Sequence, residues 1–149
     1  MNYDKPLVAA IIGAVSSIPG EIVSRLMLYY GIGKYSTYQL DSLIITFNRP
    51  NEILGLILNF ILGGVIGIIF YYSIQKLGQD YLVYKSIFVG LLASSVNEFL
   101  ITALIEGKYI EIRPISDYYV HIVAALIFGF TLGILFKRYL FDNSAVIKN

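Results

Sequence analysis

The sequence predicts an all-α integral membrane protein: a four-helix bundle built from two helical hairpins in parallel repeat, with a short amphipathic helix in the first outer loop. Three observations carry that prediction. The 149-residue chain is 57% hydrophobic and 14% charged, with a mean hydropathy of +0.72, whereas an ordinary soluble domain carries about 25% charged residues. Its charges gather at the ends of long apolar runs, as they must where hydrocarbon excludes ions. Four such runs occur, near 7–30, 53–73, 84–105 and 118–139, each close to the roughly 20 residues a helix needs to cross a bilayer. An isolated strand could not satisfy its backbone in lipid, and a closed barrel would show alternating segments of about 10 residues. A single membrane domain over 1–149 is expected.

The first run follows Met-Asn-Tyr-Asp-Lys-Pro directly. It is too long for a signal-peptide core and has no small-x-small cleavage site, so it is expected to stay as a span. Pro19-Gly20 lies within it, and a proline there removes a backbone hydrogen bond, kinks the helix and frees carbonyls near Val15 and Ser16. In the loop that follows, Leu40, Leu43, Ile44 and Phe47 fall at i, i+3, i+4 and i+7, with Gln39, Asp41 and Ser42 between them. That spacing predicts an amphipathic helix lying on the outer surface or capping the bundle, ending before Asn48-Arg49-Pro50. The second and third spans are joined by a short turn around Lys76 to Asp80, and the third and fourth by the polar stretch Glu106 to Asp117. The tyrosine pairs Tyr29-Tyr30, Tyr71-Tyr72 and Tyr118-Tyr119 fall at span ends and read as interface anchors.

Four spans put both termini on one side, and the richer Lys/Arg side should be cytoplasmic. With the termini inside, Lys5, Lys76, Lys85, Lys137, Arg138 and Lys148 lie inside, against Lys34, Arg49, Lys108 and Arg113 outside. The net charge of +1, spread along the chain, gives no basic stripe for nucleic acid. The absence of cysteine excludes thiol redox chemistry, disulfides and Cys-ligated metal, and a single histidine, His121, excludes a bis-His haem within one chain. No nucleophile motif, metal motif or phosphate loop is present, so neither enzyme activity nor a cofactor is expected.

The chain also matches itself. Gly13-x-x-x-Ser17-x-x-x-Glu21 in the first span recurs as Gly90-x-x-x-Ser94-x-x-x-Glu98 in the third, and Gly63-x-x-x-Gly67 in the second as Gly129-x-x-x-Gly133 in the fourth. Hairpins that start on the same side and match in this way should be related by a pseudo-twofold axis along the membrane normal. Residues four apart share a helix face, so the small residues form stripes for close packing, within the chain or between copies.

Counting ~1.5 Å per residue places Glu21 ~14 Å, and Glu98 and Asn59 ~10 Å, inside the outer ends of their spans. Asn97 adjoins Glu98, Arg25 lies one turn outward of Glu21, and His121 lies one turn into the fourth span. All four helices thus feed one polar layer. A charge in hydrocarbon costs at least ~2.5 kcal/mol, so these groups should point inward and pair or line water. Arg25 is the expected partner of Glu21 or Glu98. One reading makes the layer a proton or cation site, with both glutamates exchangeable, Asn59 and Asn97 as oxygen ligands and His121 as a titratable entrance. The other makes it a salt-bridged knot holding four helices in register.

The glycine-rich first span, the polar loop with its amphipathic piece, and a fourth span that opens with His121 and runs into Gly129-x-x-x-Gly133 resemble small uncharacterised four-span membrane proteins of anaerobic Gram-positive bacteria. That resemblance implies a bacterial cytoplasmic membrane and no catalytic residue. The functional expectation is a transporter or channel for a proton or small cation, against a structural or accessory membrane subunit. Expected partners are the lipid bilayer, the ion, and a second copy or another membrane protein.

Overall fold

The structure is a computed structural model that describes residues 4–142; Lys148, counted above with the inner charges, lies outside the described residues. Five α-helices follow in order: α1 (Lys5–Tyr29), α2 (Thr37–Thr46), α3 (Glu52–Leu77), α4 (Leu82–Leu104) and α5 (Ile115–Phe136). A π-helical turn, Lys137–Asp142, prolongs the last. Among the described residues four helices are long and apolar enough to cross a membrane, α5 with its extension among them, and the protein is a multi-pass membrane protein.

Local signals explain the boundaries. Asp4 caps α1 by accepting from the Leu7 N–H at 3.3 Å. Ser36 and Gln39 form a reciprocal capping box at the start of α2. Asn51 caps α3 at the Leu54 N–H, 2.9 Å away, so this helix starts close to the expected span but outlasts it to Gly78, whose φ of 77° ends it. Pro114 precedes α5, which therefore opens three residues before the apolar run.

α1 packs along both α3 and α5, and α5 along α4, while α3 and α4 scarcely touch. Glycines set these contacts. A Cβ on Gly13 would strike the Gly63 carbonyl oxygen and lie 3.0 Å from Gly67 Cα, and one on Gly129 would lie 2.5 Å from Ile87 Cα. Gly90 faces the Ala125 carbonyl and Gly129, and Gly133 faces Val83 and the Ser86 hydroxyl. Ser17 is buried and Ser94 half-buried. The small-residue stripes are thus spent inside the chain, bringing backbones together where only van der Waals packing can drive association.

The main apolar core joins Ala9 and Ile12 of α1, Phe70, Tyr71 and Ile74 of α3, Leu82 of α4, and Leu132, Phe136 and Leu140. These residues come from the start of α1, the end of α3, the start of α4 and the end of α5. Both described ends of the chain therefore meet on one face, here the terminal end. Tyr71 belongs to this core, 7% exposed, which corrects its reading as an interface anchor; Tyr29, Tyr30 and Tyr72 are exposed as expected. Tyr118 likewise turns inward, its hydroxyl donating to Glu106 at 2.8 Å.

At the opposite, loop end, α2 closes the gap between α3 and α4. Its start rides on Gly55, where a Cβ would collide with the Tyr38 carbonyl. Its far side lays Leu40 and Leu43 against Ile101 and Ile105. Of the two placements the sequence offers, α2 takes the capping one, but with a different face inward. Tyr38, Leu40, Asp41, Ser42 and Leu43 are buried, while Ile44 and Phe47 are exposed. In a bilayer an apolar side chain loses nothing by facing lipid, so hydrophobicity does not mark the packed face.

Candidate functional site

Three polar clusters occupy the loop half of the bundle. The first is built on α1. Glu21, 4% exposed, accepts from Arg25 Nε at 2.6 Å, the Ser24 hydroxyl at 3.2 Å and the Tyr38 backbone N–H at 3.0 Å. It thereby caps α2 from a neighbouring helix, placing a carboxylate on the orphan donors and positive dipole end of that helix. Arg25 reaches on to Glu52 at 3.2 Å. Both carboxyl oxygens of Glu21 are engaged within the chain.

The second cluster was not anticipated. Asp41 of α2, 2% exposed, accepts from Asn59 Nδ2 of α3 at 2.6 Å and from Asn97 Nδ2 of α4 at 2.9 Å. In this arrangement both asparagines donate to a carboxylate. Burial pushes the Asp41 carboxyl up to about 6, although both amide hydrogen bonds and the nearby His121 oppose the rise. The Tyr38 phenol is also raised, chiefly by burial, with the Ser17 hydroxyl opposing through a hydrogen bond.

The third cluster joins α4, the α4–α5 connection and α5. Arg113, with its side chain fully buried, meets Glu98 at 2.7 Å, Glu106 at 3.2 Å and Asp117 at 3.4 Å. Its guanidinium also lies 4.6 Å from the centre of the Tyr118 ring. Arg113, not Arg25, is thus the counter-ion of Glu98. The sequence placed Arg113 among the outer loop charges, and the fold instead draws it into the bundle. Burial raises the Glu106 carboxyl, but the Arg113 N–H, the Tyr118 hydroxyl and the Arg113 charge outweigh it and hold the group below the usual range. Asp117, fully buried, also accepts from the Lys34 and Tyr35 N–H groups at 2.6 and 3.0 Å, pinning the chain that leads into α2.

His121 sits where this cluster meets that segment. Its Nε2 is 3.0 Å from the Tyr35 carbonyl, and its Nδ1 is 2.6 Å from Glu98 Oε1. The second approach is close but poorly aligned for a hydrogen bond. At 4% exposed, His121 is an interior group rather than an open entrance.

The fold therefore brings Glu21 and Arg25 together, sets Glu98 with His121, and joins Asn59 to Asn97 through Asp41. Asp41, Arg113, Asp117 and Glu106 complete the layer, and sequence reasoning missed all four because each lies in a loop or helix outside the predicted spans. Among the described residues no three His, Asp or Glu side chains converge in a way that could hold a metal ion. The chain matches no protein-family model, no curated protein and no solved structure.

Proposed function

We propose that the protein is a transporter or channel whose loop-end polar layer carries a proton, with the Glu98–His121 pair as the group that takes it up and releases it. The supporting observation is the 2.6 Å approach of His121 Nδ1 to Glu98 Oε1 while Nε2 faces a backbone carbonyl. A carbonyl only accepts, so Nε2 carries a hydrogen. A lone pair on Nδ1 and a bare carboxylate oxygen would repel at that distance, so the pair holds one further proton, on the imidazole or on the carboxyl. Arg113 supplies a fixed cation beside it. The Glu98 side chain keeps 16% exposure. An ionisable pair inside spanning helices is functional by default.

The protein sits in this reading in a bacterial cytoplasmic membrane with both termini cytoplasmic. Because the glycine stripes are consumed within the chain, a homo-oligomer would have to use the lipid-facing sides of the helices. A second reading, an accessory subunit held by the same layer, is favoured by the full engagement of Glu21 and Arg113 by partners in the chain.

Proteoliposomes containing the full chain and an internal pH dye distinguish the two. Under an imposed potential the parent protein should acidify or alkalinise the lumen faster than empty vesicles. Glu98→Gln and His121→Gln should each cut the rate at least tenfold with helix content unchanged. Absence of flux in the parent, together with a collapse of thermal stability in Glu98→Gln, would replace this reading with the accessory one.

A further inference from the structure

We propose that Asp41, with the amides of Asn59 and Asn97, forms a proton-binding site where α2, α3 and α4 meet, and that the bound proton latches α2 onto the two spans. This inference does not rest on the transport reading and stands whether or not the protein moves protons.

The geometry begins with a carboxylate that is 2% exposed and forms no ion pair with Lys, Arg or His among the described residues. Its two contacts are neutral amide N–H groups. A buried charge compensated only by neutral donors is costly, and taking up a proton removes that cost. The second observation is on the same asparagine: Asn59 Oδ1 is buried and has no hydrogen-bond partner. Turning the Asn59 amide over exchanges Nδ2 for Oδ1 at the position facing Asp41. A protonated Asp41 would then donate its O–H to that oxygen while still accepting from Asn97. Asp41 can therefore keep a hydrogen bond to each asparagine in both charge states, the turned amide exchanging an unpartnered Oδ1 for an unpartnered Nδ2.

The charged and titratable groups around Asp41 are otherwise occupied. Glu21 of α1 is held by Arg25, Ser24 and the Tyr38 N–H. Glu52 of α3 contacts Arg25 and Gln39. Glu98 of α4 contacts Arg113 and His121, and His121 of α5 is turned to Glu98 and the Tyr35 carbonyl. On α2 itself, the Tyr38 hydroxyl faces Ser17. None of them forms a salt bridge with Asp41.

The sign follows by linkage. With α2 docked, Asp41 takes up its proton at about pH 6; with α2 lifted into water it does so at the ordinary aspartate value of about 3.9. Docking is therefore favoured as pH falls through that window, by up to about 100-fold, and loosens as pH rises through it, levelling off above about pH 6.

The test uses the full chain in nanodiscs. Hydrogen exchange of the α2 amides, corrected for intrinsic chemistry, should show about tenfold more opening at pH 8 than at pH 5. Asp41→Asn, which carries no charge at any pH, should stay docked and flatten that dependence. Should this variant fail to fold, Asn59→Leu serves instead: removing a donor to the charged form should move the parent's midpoint to higher pH. Glu98→Gln should leave the dependence in place, whatever it does to flux. A parent protein with no pH dependence in α2, a dependence that survives Asp41→Asn, or one that vanishes in Glu98→Gln would overturn the proposal. A midpoint that moves when sodium replaces choline at fixed ionic strength would also do so, since the occupant would then be a metal cation.

Discussion

Replacing Arg113 with methionine keeps an unbranched apolar stem but leaves Glu98, Glu106 and Asp117 without the guanidinium that contacts all three, at 2.7, 3.2 and 3.4 Å. Removing one partner of a buried ion pair costs ~3–5 kcal/mol, because the remaining charge stays buried and unpaired. Here three carboxylates face that fate, and only Glu98 retains His121. The pH dependence should reverse sign. In the parent protein Glu106 is held below the usual carboxylate range, so its contribution is present above the unfolded value and is lost as pH falls through the depressed one. In Arg113→Met the orphaned acids need protons to stay buried, so acidification from pH 8 to pH 5 should restore stability. Arg113→Lys should recover part of the loss, since an ammonium offers a point charge but not a planar fork that reaches several acids at once. Thermal unfolding in mild detergent, followed by circular dichroism, measures this. The expected drop is on the order of 10 °C at pH 8, smaller at pH 5. Coincident melts for parent and variant at pH 8, or a larger loss at pH 5, would refute the reasoning.

Two further outcomes are expected. Gly129→Val should destabilise the α4–α5 contact by ~1–3 kcal/mol or more, because its new atoms meet the Ile87 and Ser86 backbone. Gly64→Ala, whose Cβ would sit 3.4 Å from the Ala10 carbonyl oxygen, should be tolerated, and side-by-side denaturation midpoints check the contrast. Glu21→Gln should weaken the seat of α2 by ~1 kcal/mol, the scale of a lost cap, while leaving any proton flux intact; a flux loss equal to that of Glu98→Gln would restore Glu21 as a carrier.

The spans were legible because length and hydropathy alone decide which segments can leave water; the largest shifts in bounds fell at the end of α3, which runs on to Gly78, and at the start of α5, which opens directly after Pro114. The glycine stripes were legible as packing surfaces, since the lack of a side chain matters in any partner. What they pack against was not, and the structure assigns Gly13 to Gly63 and Gly90 to Gly129 within one chain. The polar layer was half legible. Glu21, Asn59, Asn97, Glu98 and His121 stood out because polar groups are rare in spans. Asp41 and Arg113 did not, because in a loop a charge is ordinarily solvated and carries no signal of burial. The α2 helix shows the same gap: its spacing announced a helix, yet Ile44 and Phe47 face outward while Asp41 faces inward.

By itself, then, the sequence determined that this is a helical multi-pass membrane protein with four runs long and apolar enough to cross, and it set acids, amides and a histidine in the same half of those runs. These follow from transfer free energies and helix rise, which act residue by residue along the chain. Tertiary structure decided the pairings: Glu21 with the start of α2, Glu98 with His121 and Arg113, and Asp41 with two asparagines. Those depend on which backbone approaches which, a property of packing between segments far apart in the chain, and hydropathy and periodicity carry no record of it.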